Sequence, residues 1–566
     1  MARTVGIGIQ SFSELIEENY FYIDKTSFIK EWWESGDSVT LITRPRRFGK
    51  TLNMNMIETF FSVNYADRGD LFKELSIWQE EKYRKLQGTY PVISLSFAAV
   101  KESNYETANY RIRQLLMKQY AKYAFLQKSD LLSEAEKAYC RMMASEMNPM
   151  DAPMALYQLS DFLCRYYGKK VIILLDEYDT PMQEAYVAGY WNELIAFIRS
   201  LFNATFKTNP YLTRGIMTGI TRVSKESVFS DLNNLEVITM TSRKYAPSFG
   251  FTEEEVFAAL EEYDLGEKKT EVKQWYDGFV FGEYRDIYNP WSILNFLKKQ
   301  TYDTYWANTS SNSLIKKLLQ GGNSLVKTSF ETLLKGGSIH CPIDEQIVYN
   351  RLKDNEASVW SLLVASGYLK VLSYERMENI ETARRPRYEL TITNQEVKRM
   401  FFTMIEEWFD EAESDYNNFV KALLLDDLDA MNEYMNEMTL NLFSYFDVGM
   451  RPSGRTEPER FYHGFVLGLM VELGDRYKIT SNRESGFGRY DIMLEPLEKE
   501  MDAIIIEFKV FNARKEKNLE ETLQNALQQI EDKKYAAELI SRGIPSERIR
   551  RYGFAFEGKK VLIGSM

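Results

Sequence analysis

The segment Arg44–Thr51 has the residue types of a phosphate-binding loop. It follows a β-rich run, Ser38–Thr43, and precedes a stretch with helical periodicity, which is the strand–loop–helix context that such a loop requires. In this context Gly49 would let the backbone approach a phosphate, Lys50 would reach the terminal phosphate oxygens, and the Thr51 hydroxyl would bind Mg²⁺. The helix N-terminus adds converging N–H groups, so we expect this segment to bind a polyphosphate.

A second segment, Lys170–Glu177, is a continuous apolar run that ends in two carboxylates. Such a run is typical of a strand buried on both faces, and ligands bind beyond the carboxyl ends of these strands. We expect Asp176 to hold Mg²⁺ and Glu177 to orient or deprotonate the attacking water. One departure from the strict loop motif, Arg44 in place of the first glycine, leaves open a basic strand-to-helix loop that binds nothing.

Hydrolysis of a bound nucleotide also needs a polar sensor and positive charge near the terminal phosphate. Thr218 or Thr221, at the end of another predicted strand, could be the sensor. Three arginines could stabilise the charge, although each could instead form a structural salt bridge. We expect the nucleotide site to be formed by Arg46, Arg47, Phe48, Gly49, Lys50, Thr51, Asp176 and Arg222.

Near the C-terminus, the apolar run Ala503–Val510 is interrupted by Glu507 and Lys509. Because side chains alternate along a strand, these two lie on the same face. Asp491, on a predicted strand upstream, could join them. Asp491 and Glu507 would bind Mg²⁺ and Lys509 would orient the attacking water, which suits metal-dependent phosphodiester hydrolysis. The alternative is a half-exposed strand whose alternating charges have no catalytic role.

Two further side chains fit the same pattern by their order along the chain. Glu459 lies in a predicted helix before the strands, with Glu457 as a possible substitute, and Gln529 lies in a predicted helix after them. His463 follows Glu459 by about one helical turn and could face the same site, but a packed or surface histidine is the simpler interpretation.

Histidine and cysteine are scarce, because the chain of 566 residues has only two His and three Cys. These numbers disfavour histidine relays, zinc clusters and a disulfide framework, and they fit a reducing compartment. The net charge is −12, yet residues 451–566 are close to neutral, so local polyanion binding is possible there. No signal peptide or membrane-spanning apolar run is visible, and we expect a cytoplasmic protein.

The first 235 residues alternate β-rich runs with helical patterns, which predicts parallel βαβ units with helices on both faces. The predicted strands are Ser38–Thr43, Pro91–Phe97, Val171–Leu175 and Gly215–Ile220. Residues 102–168 and most of 250–350 have helical periodicity, with His340 and Cys341 in a loop. The last 116 residues predict helix 458–473, strands 489–494 and 503–510, helix 519–541, and strands near 553–556 and 561–563.

Residues 356–400 have the outline of a winged helix: a helix at Ser358–Ser366, two strands at Tyr368–Tyr374 and Tyr388–Ile392, and a helix from Asn394. Arg384, Arg385 and Arg387 would lie at the tip of the hairpin, where such folds contact the DNA backbone. A solvated hairpin tip is the equally weighted alternative.

Several separated motifs resemble those of the bacterial AAA-ATPase-like family. They are Ile23–Thr26, Arg44–Thr51, Leu175–Pro181, Trp275–Gly278 and Tyr288–Trp291. The resemblance extends over nearly the whole chain and accounts for Arg44, because Arg-Pro-Arg-Arg-Phe-Gly-Lys is the family's own form of the Walker A motif. It implies ATP as the nucleotide and a C-terminal PD-(D/E)XK nuclease-like domain, with Asp491, Glu507 and Lys509 as the firmest catalytic residues and Glu459 and Gln529 as weaker ones.

The expected fold is therefore a multidomain α/β chain. We expect a P-loop, AAA-like ATPase core at 1–240, a helical lid at 241–350, a winged-helix-like domain at 351–415, a helical connector at 416–450 and a restriction-endonuclease-like α/β domain at 451–566. The expected cofactors are ATP and Mg²⁺, and the expected partner is nucleic acid, most simply DNA, with a homo-oligomer possible.

Two functions follow from these residues. In the first, the chain is an ATPase and Mg²⁺-dependent nuclease in which the nucleotide state controls access of nucleic acid. In the second, it is an ATP-binding switch or scaffold whose nuclease-like domain binds nucleic acid or protein without cutting.

Overall fold

The computed structural model describes residues 2–223, 232–307, 324–344, 356–375, 386–410, 415–442, 476–485, 488–498 and 501–566, with isolated positions 229, 315, 318, 319, 466, 470 and 473. The chain divides into two compact units. The first consists of Met1–Leu318 and Ser338–Lys398, and the second of Leu319–Gly337 and Arg399–Met566.

The α-helices are α1 Phe12–Glu17, α2 Ser27–Ser35, α3 Lys50–Phe61, α4 Glu81–Arg84, α5 Tyr105–Lys122, α6 Glu134–Ser145, α7 Ala155–Tyr167, α8 Thr180–Ala188, α9 Trp191–Phe202, α10 Glu253–Glu262, α11 Lys269–Tyr276, α12 Pro290–Lys299, α13 Ser324–Leu334, α14 Glu356–Ala365, α15 Gln395–Asp410, α16 Asp415–Leu425, α17 Leu428–Leu442, α18 Leu519–Asp532 and α19 Ala537–Ser541. The strands are β1 Val39–Thr43, β2 Val92–Ser96, β3 Val171–Asp176, β4 Leu212–Gly219, β5 Leu235–Ile238, β6 Phe251–Thr252, β7 Phe279–Phe281, β8 Tyr284–Tyr288, β9 Ile339–Pro342, β10 Leu369–Tyr374, β11 Arg387–Ile392, β12 Tyr477–Ser485, β13 Gly488–Pro496, β14 Ala503–Val510, β15 Ile549–Glu557 and β16 Lys560–Ser565.

The first unit is built on a parallel sheet with the strand order β2-β3-β4-β1-β5. All five residues of β1 and all six of β3 are buried, as continuous apolar runs predict for strands covered on both faces. The four strands predicted from the sequence are present, and β5 is an additional one. Because β4 lies between β1 and β3, the carboxyl ends of these three strands meet at one edge.

The region that the sequence predicts as mostly helical after residue 250 also contains a small antiparallel sheet, β6-β8-β7. Its strands are only two to five residues long, too short to produce a clear alternating pattern. Helix α10 has Thr252 as its N-cap, and Glu255 completes a capping box.

The described residues between 356 and 400 contain the elements of the predicted winged helix: α14, the antiparallel pair β10–β11 and the start of α15 follow one another. A third strand, β9, pairs with β11 and contains His340 and Cys341, so the prediction of a loop at these two residues was wrong. The polar His340 side chain lies on the exposed face of β9, which is at the sheet edge. Because such a residue is not typical of a strand, the sequence of β9 gives little indication of β structure.

The second unit contains a mixed sheet with the order β12-β13-β14-β15-β16, in which only the β14–β15 pair is parallel. The predicted strands β13, β14, β15 and β16 are present, and β12 is an additional one. The helix predicted at 519–541 is in fact two helices, α18 and α19, because the chain turns after Asp532 and Lys534 has a positive φ of 52°.

Helices α16 and α17 share a hydrophobic core with this sheet, although the sequence predicts a separate connector at 416–450. Phe419, Leu423 and Met431 are buried in the same cluster as Phe554. Helix α17 also covers the edge strand β16. The Asn436 amide donates to Val561 O and accepts from Val561 N at 2.8 and 2.9 Å, and Asn432 does the same with Ile563 at 2.9 and 2.8 Å. These side chains satisfy the backbone groups that an edge strand leaves unpaired.

Among the described residues, no helix has both the length and the apolar character that crossing a bilayer requires.

Candidate functional sites

The loop between β1 and α3 forms the first site. Gly49 has φ +80° and is the N-cap of α3, a backbone conformation that L side chains rarely adopt. The Lys50 ammonium is folded back onto this loop and donates to Arg44 O at 2.9 Å and to Pro45 O at 2.8 Å. Burial lowers the pKa of Lys50, while the nearby Glu177 and Asp176 act in the opposite direction. The loop is thus closed around its own lysine, which is held where phosphate oxygens could replace the two carbonyls.

Arg44, which stands where the first glycine was expected, points away from the loop. Its guanidinium is fully buried and donates to Thr239 O at 2.6 Å, just after β5, and to Thr43 O at 3.0 Å. It also lies 4.5 Å from the ring centroid of Phe281. Arg44 therefore anchors the beginning of the loop to neighbouring elements, a structural role that the one-dimensional pattern does not reveal.

Asp176, at the end of β3, connects the loop to the next strand. Its Oδ2 accepts a hydrogen bond from the Thr51 hydroxyl at 2.7 Å, and its Oδ1 accepts one from the Thr218 hydroxyl. Burial raises the pKa of Asp176, although both hydroxyls favour the charged form. Glu177 follows with a positive φ of 51°, and its Oε2 accepts from the Thr180 hydroxyl at 3.1 Å. This places a carboxylate, a hydroxyl from α3 and a hydroxyl from β4 around one point.

Asp179 and Tyr178 were not singled out by the sequence, yet they organise the same edge. The buried Asp179 carboxylate accepts from Thr221 N at 2.8 Å, from the Thr221 hydroxyl at 2.7 Å and from Ile220 N at 3.1 Å. The Tyr178 hydroxyl donates to Thr221 O at 2.7 Å. Of the two predicted sensor threonines, Thr218 therefore contacts Asp176, whereas Thr221 binds Asp179. The second aspartate of Asp-Glu-Tyr-Asp, Asp179, is the signal that could have indicated this.

A cavity of about 400 Å³ opens beside this loop. Its walls include the loop itself, Glu177, Lys25 and residues of α12. Arg46 and Arg47 are exposed at its rim, and the Arg47 guanidinium lies 4.3 Å from the ring centroid of Trp291. The Phe48 ring is buried against Phe279, with 4.7 Å between the centroids, so its backbone is the part nearer the cavity. Arg222 is half-buried and is not part of the cavity wall.

The second site lies on the mixed sheet of the other unit. Antiparallel pairing of β13 with β14 puts Ile492 opposite Ile506, so the register places Asp491 opposite Glu507 on the same face. The Asp491 Oδ2 accepts a hydrogen bond from Phe508 N at 2.8 Å. Sheet register therefore brings together two carboxylates that are far apart in the sequence.

Glu507 is at the centre of this group, and its side chain is only 2% exposed. The Lys509 ammonium lies 3.8 Å from Glu507 Oε1, and the Gln529 amide donates to the same oxygen. Gln529 also donates to the Tyr535 hydroxyl at 3.1 Å. Burial raises the pKa of Tyr535 to about 12, although its bond with Gln529 lowers it, and the charges of Glu507 and Asp491 add to the rise. Two carboxylates and the Phe508 carbonyl offer hard oxygen ligands of the type that Mg²⁺ prefers.

Family comparisons match the two regions of the chain in which these groups of side chains lie. A model described as predicted AAA-ATPase matches residues 6–229, and a model described as PD-(D/E)XK nuclease superfamily matches residues 457–566. The chain joins an AAA-ATPase-like region to a PD-(D/E)XK nuclease-superfamily domain. This confirms the fusion that the sequence motifs predict and assigns the parallel sheet to the first region and the mixed sheet to the second.

One curated relative of this chain is described as an uncharacterized protein in the vnfD 5′ region of Azotobacter chroococcum mcd 1. It is 25% identical over 557 residues, covering 96% of this chain and 95% of the relative. Among solved structures, a Signal Transduction ATPase with Numerous Domains (STAND) protein with a tetratricopeptide repeat sensor, from Pyrococcus horikoshii, is 12% identical. The match covers 80% of this chain and 54% of the Pyrococcus horikoshii chain, with a TM-score of 0.24.

The AAA-ATPase-like region brings Lys50, Thr51, Asp176 and Glu177 together, as predicted. In the PD-(D/E)XK domain, Asp491, Glu507, Lys509 and Gln529 meet in the same way. Arg387 is described, and its guanidinium donates to His340 O at 2.7 Å, which ties it to β9. Glu457, Glu459, His463, Arg384 and Arg385 lie outside the described residues.

Proposed function

We propose that the first region binds and hydrolyses ATP with Mg²⁺, and that the C-terminal domain hydrolyses phosphodiester bonds in nucleic acid, with DNA as the substrate. The observation that carries this proposal is the presence in one chain of two groups of side chains with the chemistry that phosphate handling requires. One is the Lys50 loop above Asp176, and the other is the Asp491–Glu507–Lys509 group.

ATP binding would exchange the internal bonds of the loop for bonds to phosphate. Lys50 would leave the carbonyls of Arg44 and Pro45 and donate to phosphate oxygens, and the N-terminus of α3 would add backbone N–H donors. Thr51 and Asp176 would hold the Mg²⁺ that accompanies the nucleotide, because their oxygens already lie 2.7 Å apart.

For hydrolysis, Glu177 would accept a proton from the attacking water or orient it. Thr218 would sense the terminal phosphate from β4, since it contacts the same carboxylate as Thr51. Arg46 and Arg47, at the rim of the cavity, are placed to stabilise charge there, whereas Arg222 would act only after moving.

In the C-terminal domain, Asp491 and Glu507 would hold Mg²⁺, which when bound supplies a Lewis acid at the scissile phosphate. Lys509 would orient the attacking water or stabilise the charge that develops on phosphate oxygens. Gln529 would hold the Glu507 carboxylate in position through its hydrogen bond. Glu459 stays a predicted further acid of this site.

We further propose that the ATP state of the first region controls access of nucleic acid to the second. The support is that both domains occupy one chain, which lets nucleotide binding act on the nuclease without a separate partner. Self-association in the presence of ATP, measured by light scattering, would test whether the active form is a homo-oligomer.

The direct test is a cleavage assay on single-stranded and duplex DNA and on RNA, with and without ATP, beside Lys50→Ala and Glu507→Ala. We expect Mg²⁺-dependent cleavage that Glu507→Ala abolishes while ATP still binds, and ATP dependence that Lys50→Ala removes. Nucleotide binding without cleavage of any substrate would instead support a non-cleaving switch or scaffold.

A further inference from the structure

A loop at residues 511–518 follows directly on β14, the strand that carries Glu507 and Lys509. The loop is ordered by Glu516, whose carboxylate faces inward. It accepts from Asn512 N at 2.8 Å, from the Thr522 hydroxyl at 2.9 Å and from the Asn525 amide at 2.9 Å. The carboxylate of the only acidic residue of the loop is thus held by hydrogen bonds from the loop and from α18.

Three basic side chains of this loop, Arg514, Lys515 and Lys517, are exposed. Within the part of the chain that the structure describes, none of them has a carboxylate at ion-pair distance. The loop backbone around them is fixed, since Arg514 N donates to the Asn512 side chain at 3.1 Å and Lys517 N donates to Glu521 at 2.7 Å. The result is a hydrogen-bonded loop that exposes three cations without an ion pair among the described residues, with Glu521 bonded to its backbone.

The opposite end of the same sheet has basic residues too, but these are paired with acids. Arg548 and Arg550 bind Asp502 at 3.2 and 2.7 Å, and the Lys478 ammonium lies 3.8 Å from Glu495. Arg542 also binds Glu495. Arg542, Arg548, Arg550 and Lys478 are therefore paired with acids near the start of β14, whereas Arg514, Lys515 and Lys517 have no ion pair among the described residues at its end, beside the carboxylate site.

The loop is close enough to that site to hold the same ligand. Phe511, the first residue of the loop, follows Glu507 by four positions, so the loop begins about 13 Å from that carboxylate, or roughly four phosphates along the axis of one strand of a duplex. Burial raises the pKa of Glu516, but its hydrogen bonds and the charge of Lys509 outweigh this and lower it overall, which also indicates that Lys509 and the loop are neighbours.

We propose that Arg514, Lys515 and Lys517 bind the sugar–phosphate backbone of the nucleic acid strand that enters the carboxylate site. This inference rests on the proposed nuclease function and adds the surface that positions the substrate. Contacts of this kind fix the register of the strand without reading its sequence, because they involve phosphates and not base edges.

The test is binding of a fluorescein-labelled DNA duplex to the full chain in EDTA, where no cleavage occurs, followed by anisotropy at several KCl concentrations. The variant is Arg514→Gln with Lys515→Gln. The matched control is Lys478→Gln with Arg548→Gln, which removes the same charges near the start of β14. We expect the loop variant to bind about 10-fold more weakly and its salt slope to fall by about 2, because each phosphate contact contributes about 0.9. The control should bind like the wild type.

A charge-retaining exchange, Arg514→Lys with Lys515→Arg, should restore wild-type binding and its salt slope. An unchanged slope in the Gln variant would overturn the proposal while leaving the nuclease assignment intact, since cleavage with Mg²⁺ is measured separately. Loss of binding equal in the loop variant and in the control would also overturn it. If the wild-type chain neither bound nor cut any nucleic acid, the proposed function itself would fail, and this inference with it.

Discussion

The two candidate sites differ in how their polar groups are satisfied. In the AAA-ATPase-like region, Lys50 is bonded to carbonyls of its own loop, and Thr51 and Thr218 both donate to Asp176. In the PD-(D/E)XK domain, strand register places Asp491 beside Glu507, and a backbone N–H and a glutamine amide hold the two carboxylates.

The two sites therefore differ in how much structural rearrangement ligand binding requires. A nucleotide has to replace hydrogen bonds that the first site makes with itself, so binding and loop rearrangement are coupled there. The carboxylates of the second site are already positioned by the sheet, so binding requires little movement of the backbone. We therefore expect substitutions at the first site to affect affinity and conformation together, and those at the second to affect chemistry alone.

The largest effect is expected from Glu507→Gln. Removing one charged oxygen ligand from the preassembled group should lower cleavage at least about 1,000-fold, because the amide is a poor ligand for Mg²⁺. ATP affinity, measured by calorimetry, should stay unchanged. Glu520→Gln, an exposed carboxylate in the same domain, is the matched control and should cleave normally. Cleavage retained by Glu507→Gln would place the catalytic centre elsewhere.

Lys50→Ala should follow, with about a 100-fold loss of ATP affinity, because the ammonium is the main positive partner of the phosphates in the proposed complex. The measurement is calorimetric titration of ATP with Mg²⁺. Lys85→Ala, whose side chain is 75% exposed, serves as the control. If ligand binding is coupled to loop rearrangement at the first site only, Lys50→Ala and Lys85→Ala should cleave nucleic acid at the same rate in the absence of ATP.

A smaller change is expected from Asp179→Asn. The amide cannot accept all the bonds that Asp179 receives from Ile220 and Thr221, so the segment after β4 should lose its position. We expect about a 10-fold lower rate of ATP hydrolysis with ATP affinity changed less than about 3-fold, and a lower Tm. Equal losses in rate and affinity would contradict a role confined to positioning the sensor segment.

The smallest predicted effect is on pH dependence and involves Glu396, a buried residue of the first unit. Burial raises the pKa of Glu396 to about 7, although bonds from Ser292 and from the N–H groups of Trp306 and Ala307 act against this. Because the folded state then binds the proton more tightly than the unfolded state, stability falls as the pH rises from about 4.5 to about 7.

Glu396→Gln should therefore flatten the Tm of the first unit across this range, and calorimetric melting at several pH values would show it. In the second unit the shifts of Asp502 and Glu516 are in the opposite direction, because hydrogen bonds and nearby cations lower their pKa. Their contribution is lost as the pH falls. If the stability of both units changed with pH in the same direction, the two units would not differ in this respect.

Much of the fold could be predicted because its signals are local. Residues 44–51 follow β1 directly, and residues 170–177 contain β3, an unbroken apolar run up to Asp176. Strands β1, β2 and β4 are short runs rich in β-branched and apolar residues. Glu507 and Lys509 were found for the same reason, since period two alone puts them on one face.

What the sequence could not show depends on contacts between distant residues. The burial of Arg44 needs Thr239 and Phe281, and the role of Asp179 needs Thr221, which is 42 positions away. The break between α18 and α19 arises because Tyr535 turns into the core and reaches Gln529, overriding a helical pattern. Strand β9 is recognisable only beside β11.

The asparagines of α17 have a practical consequence for dissecting the protein. A fragment that starts at residue 451, where the composition changes, would lack Asn432 and Asn436 and would leave the backbone of β16 open to pairing with a second copy. It would also lose the packing of Phe419 and Met431 against the sheet. A fragment that starts before Asp415 keeps this cover and is the one to express when the nuclease-superfamily domain is tested alone.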